Sequence, residues 1–230
     1  MPDEFPSAYA RAAAIGDYGF VLRRSRPYES GTYRPDTDPE SLTVIARAST
    51  LRQLGRYPDA QLCDELAVAA ARTEPVRVAA WLGLAADAVG QADPALARQR
   101  AAVRLPADRP DLLVLAGWIH TEVALLEGDP LAAVAAAAGC VGTATEMVAP
   151  WHLAKSRLFV GVARLAAGEP AGADDLRACL AAGYPALTWV AAAVLGEREA
   201  ARAAVARIAE GLPADVRAGW LARPDVAPYA

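Results

Sequence analysis

Apolar residues recur every three or four positions over most of residues 41–210, which is the period of an α-helix that buries one face. Residues 111–127 show this period clearly, with Leu112, Leu115 and Ile119 on one side. Each periodic stretch runs up to a glycine, and an alanine follows five residues later. The five pairs are Gly55/Ala60, Gly90/Ala95, Gly128/Ala133, Gly168/Ala173 and Gly196/Ala201. This pattern predicts an all-α chain of about five helical hairpins.

Proline and acidic residues mark where the predicted helices begin. Proline occurs in four of the five turns, at Pro58, Pro94, Pro130 and Pro170. Asp38 and Pro39 precede the first hairpin, so we expect Asp38 to cap its first helix and Pro39 to occupy the first helical position. The last predicted pair covers residues 186–195 and 197–210. We expect it to form the polar end that a stack of hairpins needs.

The turn Leu54-Gly55-Arg56-Tyr57-Pro58-Asp59-Ala60 resembles the turn between the two helices of a tetratricopeptide repeat (TPR). In that family's register, a small residue of the first helix falls at Ala48, Gly83, Thr121 and Gly161, whereas the fifth copy has Trp189. Successive glycines lie 35, 38, 40 and 28 residues apart, so the family's period of about 34 residues is not kept. The resemblance implies a right-handed, TPR-like solenoid over residues 41–230. A related α-solenoid with irregular hairpins is the alternative.

In TPR proteins the first helices line a concave surface that binds partners, and the register transfers this role to particular side chains. The polar candidates are Arg52, Arg77, Asp87, Trp118, Glu122 and Lys155, among apolar Leu42, Ile45, Leu84, Leu115 and Leu158. The resemblance implies a scaffold or adaptor that binds a protein or peptide segment in this groove, and a homodimer also fits. The competing interpretation is that each charged side chain is simply solvated on a helix face.

Residues 1–40 differ from the rest of the chain, since they hold six of its ten Phe and Tyr residues and little regular period. We expect a short helix over residues 7–15, an extended segment over residues 18–23 and a loop around residues 31–35. Aromatic side chains each gain about 1.5–3 kcal/mol on burial, so the segment should pack on the helical body. Either it caps the groove permanently, or it competes with a partner.

Charge and composition narrow the partners. The net charge of −4 and the pI near 5.3 argue against a broad nucleic-acid surface. The first residues lack the order of a secretory signal, and the longest apolar runs are shorter than the roughly 20 residues that span a bilayer. Alanine dominates and Lys155 is the only lysine, which is typical of bacterial genes rich in G and C. We expect a bacterial cytoplasmic protein that binds neither nucleic acid nor membrane.

The sequence contains few signs of chemistry. It has no phosphate loop, nucleophile elbow or metal-binding spacing, and so predicts no cofactor and no metal. We expect Cys63, Cys140 and Cys179 to be buried thiols and His120 to be a core or groove histidine. An enzyme is therefore not favoured. The alternative is a small-molecule sensor or enzyme whose pocket surrounds Trp118, His120 and Glu122 and is closed by the aromatic segment.

Overall fold

The computed structural model describes residues 5, 7–29 and 34–230, and within them every regular element is a helix. The α-helices are α1 Ala8–Ile15, α2 Tyr18–Arg24, α3 Asp38–Gln53, α4 Tyr57–Ala70, α5 Glu74–Gly90, α6 Pro94–Ala101, α7 Pro110–Leu126, α8 Pro130–Glu146, α9 Pro150–Ala166, α10 Gly172–Ala181, α11 Pro185–Leu195, α12 Arg198–Gly211 and α13 Ala214–Leu221. Two 3-10 helices cover Arg26–Tyr28 and Ala227–Tyr229. The all-α class predicted by the apolar period is confirmed over these residues.

From α3 onward the helices pack in consecutive pairs, α3 with α4, α5 with α6, α7 with α8, α9 with α10 and α11 with α12. The leading members of the pairs, α3, α5, α7, α9 and α11, are called the first helices below. Each first helix also contacts the next first helix along the chain. Side chains at matching positions of these helices can therefore lie side by side.

The start of α3 is capped differently from the prediction. Thr37, not Asp38, is the N-cap, and it forms a capping box with Glu40, an arrangement typically worth about 1 kcal/mol. Asp38 instead accepts hydrogen bonds from the backbone N–H groups of Arg72 at 2.8 Å and Thr73 at 3.4 Å. The Thr73 side chain, followed by these backbone bonds, lowers the pKa of the Asp38 carboxyl. The contacts tie the start of α3 to the loop before α5.

The glycines that mark the turns do not all have the same physical role. Gly55 and Gly128 adopt positive φ angles of 77° and 75°, which L side chains rarely adopt. Gly90 ends α5, and Ala92 takes the positive φ, at 57°, in its turn. A side chain at Gly90 would collide with the ring of Tyr57, so this glycine allows α4 to approach α5.

The amino-terminal segment is helical, not irregular. The prediction of an extended stretch over residues 18–23 is wrong, since α2 covers it and Asp17 caps α2 by accepting from the Phe20 N–H at 3.1 Å. The backbone of Gly19 lies so close to the Gly211 carbonyl that no larger residue would fit. Packing against α12 therefore helps to explain a helix that local sequence does not suggest. The predicted loop at residues 31–33 lies outside the described residues.

The two ends of the chain share one hydrophobic core. Tyr18 and Leu22 of α2 pack in the same cluster as Leu51 of α3 and as Trp189 and Ile208 of α11 and α12. Near the carboxyl end, the Arg223 guanidinium donates to the Gln53 carbonyl at 2.7 Å. The last helices are thus not the polar end that the pattern predicts, because their apolar faces are buried against the first hairpin and the amino-terminal helices.

Candidate functional site

Four charged side chains on four consecutive first helices influence one another electrostatically. Arg52 lies on α3, Asp87 on α5, Glu122 on α7 and Lys155 on α9, at intervals of 35, 35 and 33 residues. Asp87 is buried, and the other three are half-buried. The side of the first helices that carries these four residues is called the first-helix face below. All four belong to the set that the TPR-like register nominates, and they form two clusters of different character.

The first cluster, called the Arg52 cluster, joins α3, α4 and α5. Arg52 donates from Nε to Asp87 Oδ1 at 2.7 Å and from Nη2 to Asp64 Oδ2 at 2.6 Å. Nη2 also donates to the Gly83 carbonyl at 3.0 Å. Both carboxyl side chains have 0% exposure, whereas Arg52 retains 17%. A side chain at Gly83 would collide with the Asp64 carboxyl, so the absence of a side chain there makes room for the cluster.

One guanidinium faces two carboxyl groups in this cluster. Burial raises the pKa of Asp64 well above its ordinary value, the Arg52 charge opposes that rise, and Asp87 adds to it. Burial likewise raises the pKa of Asp87, against the attraction of Arg52. Asp64 Oδ1 and Asp87 Oδ2 are buried and accept no hydrogen bond from the described residues. A proton retained between the two carboxyl groups would balance the single cation.

The second cluster is the Glu122–Lys155 pair of α7 and α9. Burial lowers the pKa of Lys155 to about 8, while Glu122 pulls it upward and Arg52 pushes it further down. Burial raises the pKa of Glu122, and Lys155 and then Arg52 oppose the rise. The two side chains therefore affect each other through space. Among the described residues, however, neither makes a hydrogen bond or an ion pair within 4.0 Å.

Aromatic rings surround the Lys155 ammonium. Its Nζ lies 4.3 Å from the centroid of the Trp118 ring, 5.3 Å from Trp151 and 5.8 Å from Phe159. Cation–π attraction of this kind favours the charged amine and is worth about 0.5–2 kcal/mol. The rings thus hold the ammonium in place and leave its N–H donors without an acceptor among the described residues.

The Trp118 ring is fixed from several sides. Its Nε1 donates to Ser156 Oγ at 3.0 Å, and its ring lies 5.6 Å from the Trp151 ring and 5.7 Å from the His152 ring. Phe5 lies edge-on to Trp151, with ring centroids 5.6 Å apart. These four aromatic residues form a rigid floor beside the Glu122–Lys155 pair.

The end of helix α1 contacts this floor at Trp151. Trp151 Nε1 donates to the Ala14 carbonyl at the end of α1, at 3.0 Å. Helix α1 also packs against α3 and α11. A segment of the chain itself therefore covers part of the face that the TPR resemblance assigns to a partner.

Two of the nominated residues lie away from both clusters. Arg77 is exposed, and its guanidinium donates to the Ala71 carbonyl at 2.7 Å, next to the loop that precedes α5. His120 is also exposed, so it is not a core histidine. Two residues apart on a helix, His120 and Glu122 point in different directions. Trp118 and Glu122, which are four residues apart, therefore share one side of α7, and His120 lies on another side.

Sequence reasoning missed Asp64, Trp151, Ser156 and Phe159. Asp64 belongs to α4, and the register argument covers the first helices alone. Trp151, Ser156 and Phe159 lie on α9, where the only signal was an apolar helical period that did not distinguish site from core. The periodicity of Trp151, Lys155 and Phe159, each four residues from the next, places them on one helix side and is the signal that was available.

Metal and thiol chemistry have little support here. Within the described residues, no group of three or more His, Cys, Asp or Glu side chains is placed to hold a metal ion. Cys63, Cys140 and Cys179 are buried and free, and burial raises their pKa values to about 11, 11 and 12. They are therefore neutral thiols near pH 7. No helix in the described ranges has the length and apolarity needed to traverse a bilayer.

Two surface cavities lie elsewhere on the molecule. One of about 400 Å³ is lined by Tyr9, Tyr28 and Thr43 among others, and one of about 450 Å³ follows α4 past Leu62 and Cys63. Neither includes Glu122 or Lys155.

Comparisons of the chain with protein-family models, with curated proteins and with solved structures return no match. Function is therefore inferred from the geometry of the charged clusters.

Proposed function

We propose that the protein is a binding module, built as a TPR-like, right-handed solenoid of about five hairpins, that holds a small polar ligand between α7 and α9. Glu122 and Lys155 would contact the ligand's polar groups, and Trp118 would support its apolar part. The observation that carries this proposal is that two opposite charges are half-buried on one face without contacting each other or any other charged partner in the described chain.

Energetics support a ligand at this position. A charge removed from water without a hydrogen-bonding partner costs several kcal/mol, which explains the direction of both pKa changes. A protein that needed these residues for stability alone would gain by bringing them into contact, as Arg52 does with Asp87 at 2.7 Å. Two polar groups held apart can instead be satisfied together by a molecule placed between them.

The amino-terminal helices favour a small ligand over a long peptide. Tyr18, Val21 and Leu22 are buried with α2, and the Trp151 bond to Ala14 fixes the end of α1. A peptide lying across the first helices would have to displace these contacts. A small molecule that contacts only Glu122 and Lys155 would leave these contacts in place.

A thermal-shift screen with diverse small molecules tests the proposal. We expect at least one chemical class to raise the melting temperature of the wild type, since a ligand at 100 times its Kd adds about 2.7 kcal/mol. Glu122→Gln and Lys155→Met should remove that rise, and His120→Gln, an exposed position on the same helix, should preserve it. A rise that survives both substitutions, or no rise with any compound, would contradict a ligand site at this pair.

The adaptor function implied by the TPR resemblance is the second candidate. It is supported by the contacts of Ala14 and Phe5 with Trp151, since this face already accommodates the end of a helix and a separate aromatic side chain. We propose that a partner helix would bind by replacing α1. Native-state hydrogen exchange on the full chain tests this: α1 amides should exchange by local opening, well before the amides of α3. Exchange of α1 only through global unfolding would make it a permanent cap and overturn the replacement.

A further inference from the structure

We infer that the ligand is a small zwitterion resembling an α-amino acid, with its cationic group at Glu122 and its anionic group at Lys155. This inference rests on the proposed function, because it specifies the ligand of the same site. It follows from the chemistry of the two side chains, from the neighbouring charges that are already paired, and from the aromatic rings around Lys155.

The two side chains require opposite partners. An ionised carboxylate only accepts hydrogen bonds and an ammonium only donates them, so Glu122 needs a donor and Lys155 needs an acceptor. A dianion would satisfy Lys155 but place a like charge beside Glu122. A dication would have the reverse fault. Among charged ligands, a molecule that carries one charge of each sign satisfies both groups at once, and its charges strengthen both hydrogen bonds.

The neighbouring charges do not change this requirement. Arg52 is the other cation that affects the pair, and its guanidinium already faces Asp64 and Asp87 at 2.6 and 2.7 Å. If the two carboxyl groups retain one proton, the Arg52 cluster has no net charge. The ligand therefore meets one free carboxylate and one free ammonium.

The surroundings favour a short molecule with an apolar part. Glu122 and Lys155 are more than 4.0 Å apart at their charged atoms, yet close enough for each to alter the other's pKa. An amine and a carboxylate on one carbon can occupy such a separation through their hydrogen bonds. The faces of Trp118, Trp151 and Phe159 around Lys155 offer an apolar surface for a side chain.

Calorimetric titration of the full chain tests the inference with matched probes. Individual L-amino acids are titrated first, followed by the N-acetyl and the carboxamide derivatives of the best binder, each lacking one charge. We expect each derivative to bind about tenfold or more weakly than the amino acid, because a hydrogen bond to a charged group is lost.

Two variants assign each charge to its residue. Glu122→Gln should bind the amino acid and its N-acetyl derivative equally, and Lys155→Met should bind the amino acid and its carboxamide equally. His120→Gln should behave as the wild type, and circular dichroism should show that all three variants are folded. Amino-acid binding that is the same in all variants would overturn the inference.

The outcomes separate the inference from the proposed function. If only singly charged or dianionic compounds bind, and they do so through Glu122 or Lys155, the zwitterion is wrong and the small-ligand site remains. If no amino acid and no other small molecule binds, both are overturned.

Discussion

The Arg52 cluster and the Glu122–Lys155 pair both lie on the first-helix face, yet only the first has its charges in contact. Arg52 reaches Asp87 and Asp64 at 2.7 and 2.6 Å, and both carboxyl groups are buried. Glu122 and Lys155 remain half-buried and make no contact of this kind with any described residue. The two clusters therefore differ in their contacts: the charges of the Arg52 cluster join α3, α4 and α5, whereas the Glu122–Lys155 pair is the proposed ligand site.

The second helices of the first and third hairpins also differ. Asp64 lies nine positions after Gly55, and the position nine after Gly128 is Ala137, which is fully buried. The first hairpin thus has a carboxyl group at this second-helix position, whereas the third hairpin has a methyl group. Without a partner from α8, the charges of α7 and α9 have no described carboxyl or guanidinium within contact distance.

Removing the cation of each cluster should separate the two roles most strongly. Arg52→Met leaves two buried carboxyl groups without the guanidinium that contacts both, and we expect the free energy of unfolding near pH 7 to fall by about 3–5 kcal/mol. Lys155→Met removes an ammonium whose charge is disfavoured by burial, so we expect the free energy of unfolding to stay the same or rise. Urea unfolding of both variants measures the difference. Equal losses would mean that the clusters do not differ in role.

The Trp118 ring should be held firmly in place beside the proposed ligand site. Trp118→Phe deletes the Nε1 donor to Ser156 and leaves space around a side chain that is 3% exposed, so we expect a loss of about 1–3 kcal/mol. Ser156→Ala removes the acceptor of the same hydrogen bond. Denaturant unfolding of the two single variants and the double variant gives their coupling. A coupling near zero would show that this bond does not hold the ring.

The pH dependence of stability should report the proton retained by Asp64 and Asp87. Because their pKa values are raised by folding, the folded state binds more protons than the unfolded chain, so their contribution is full below about pH 4 and is lost as pH rises through the folded values. Each unit of pKa difference is worth about 1.4 kcal/mol. Asp64→Asn should flatten this fall in unfolding experiments between pH 4 and 8. An identical slope in wild type and variant would exclude a shared proton.

The sequence predicts the helices well because their signals are local. Apolar period, proline near helix starts and the glycine turns depend on residues within a few positions of one another. The register of the turns also selects Arg52, Asp87, Glu122 and Lys155, which the fold brings to one side. For the helical bodies and for the main charged residues, the repeated pattern carries enough information.

The features that the sequence does not predict are those that depend on distant contacts. Helix α2 is short and contains Gly19, and its apolar residues are buried in part by α12, nearly two hundred residues away. The common core of Tyr18 and Ile208 joins opposite ends of the chain. Asp64 of α4 pairs with Arg52 of α3. The register argument considers the first helices alone, so it does not predict this contact.

The most delicate prediction concerns the Lys155 amine, whose pKa is lowered to about 8 by burial. Because the folded state holds this proton less tightly than the unfolded chain, the charge destabilises the fold below about pH 8, and that cost disappears above the ordinary lysine value of about 10.5. Lys155 is the only lysine, so amine acylation followed by peptide mapping reports on one side chain. The acylation rate should reach half its maximum near pH 8 in the folded protein and near 10.5 in denaturant. Glu122 favours the ammonium, so Glu122→Gln should move the folded midpoint lower, whereas His120→Gln should not move it. A folded midpoint at the denatured value would show that Lys155 is solvated like an ordinary surface lysine. The Glu122–Lys155 pair would then be an ordinary solvated pair, unlike the buried Arg52 cluster.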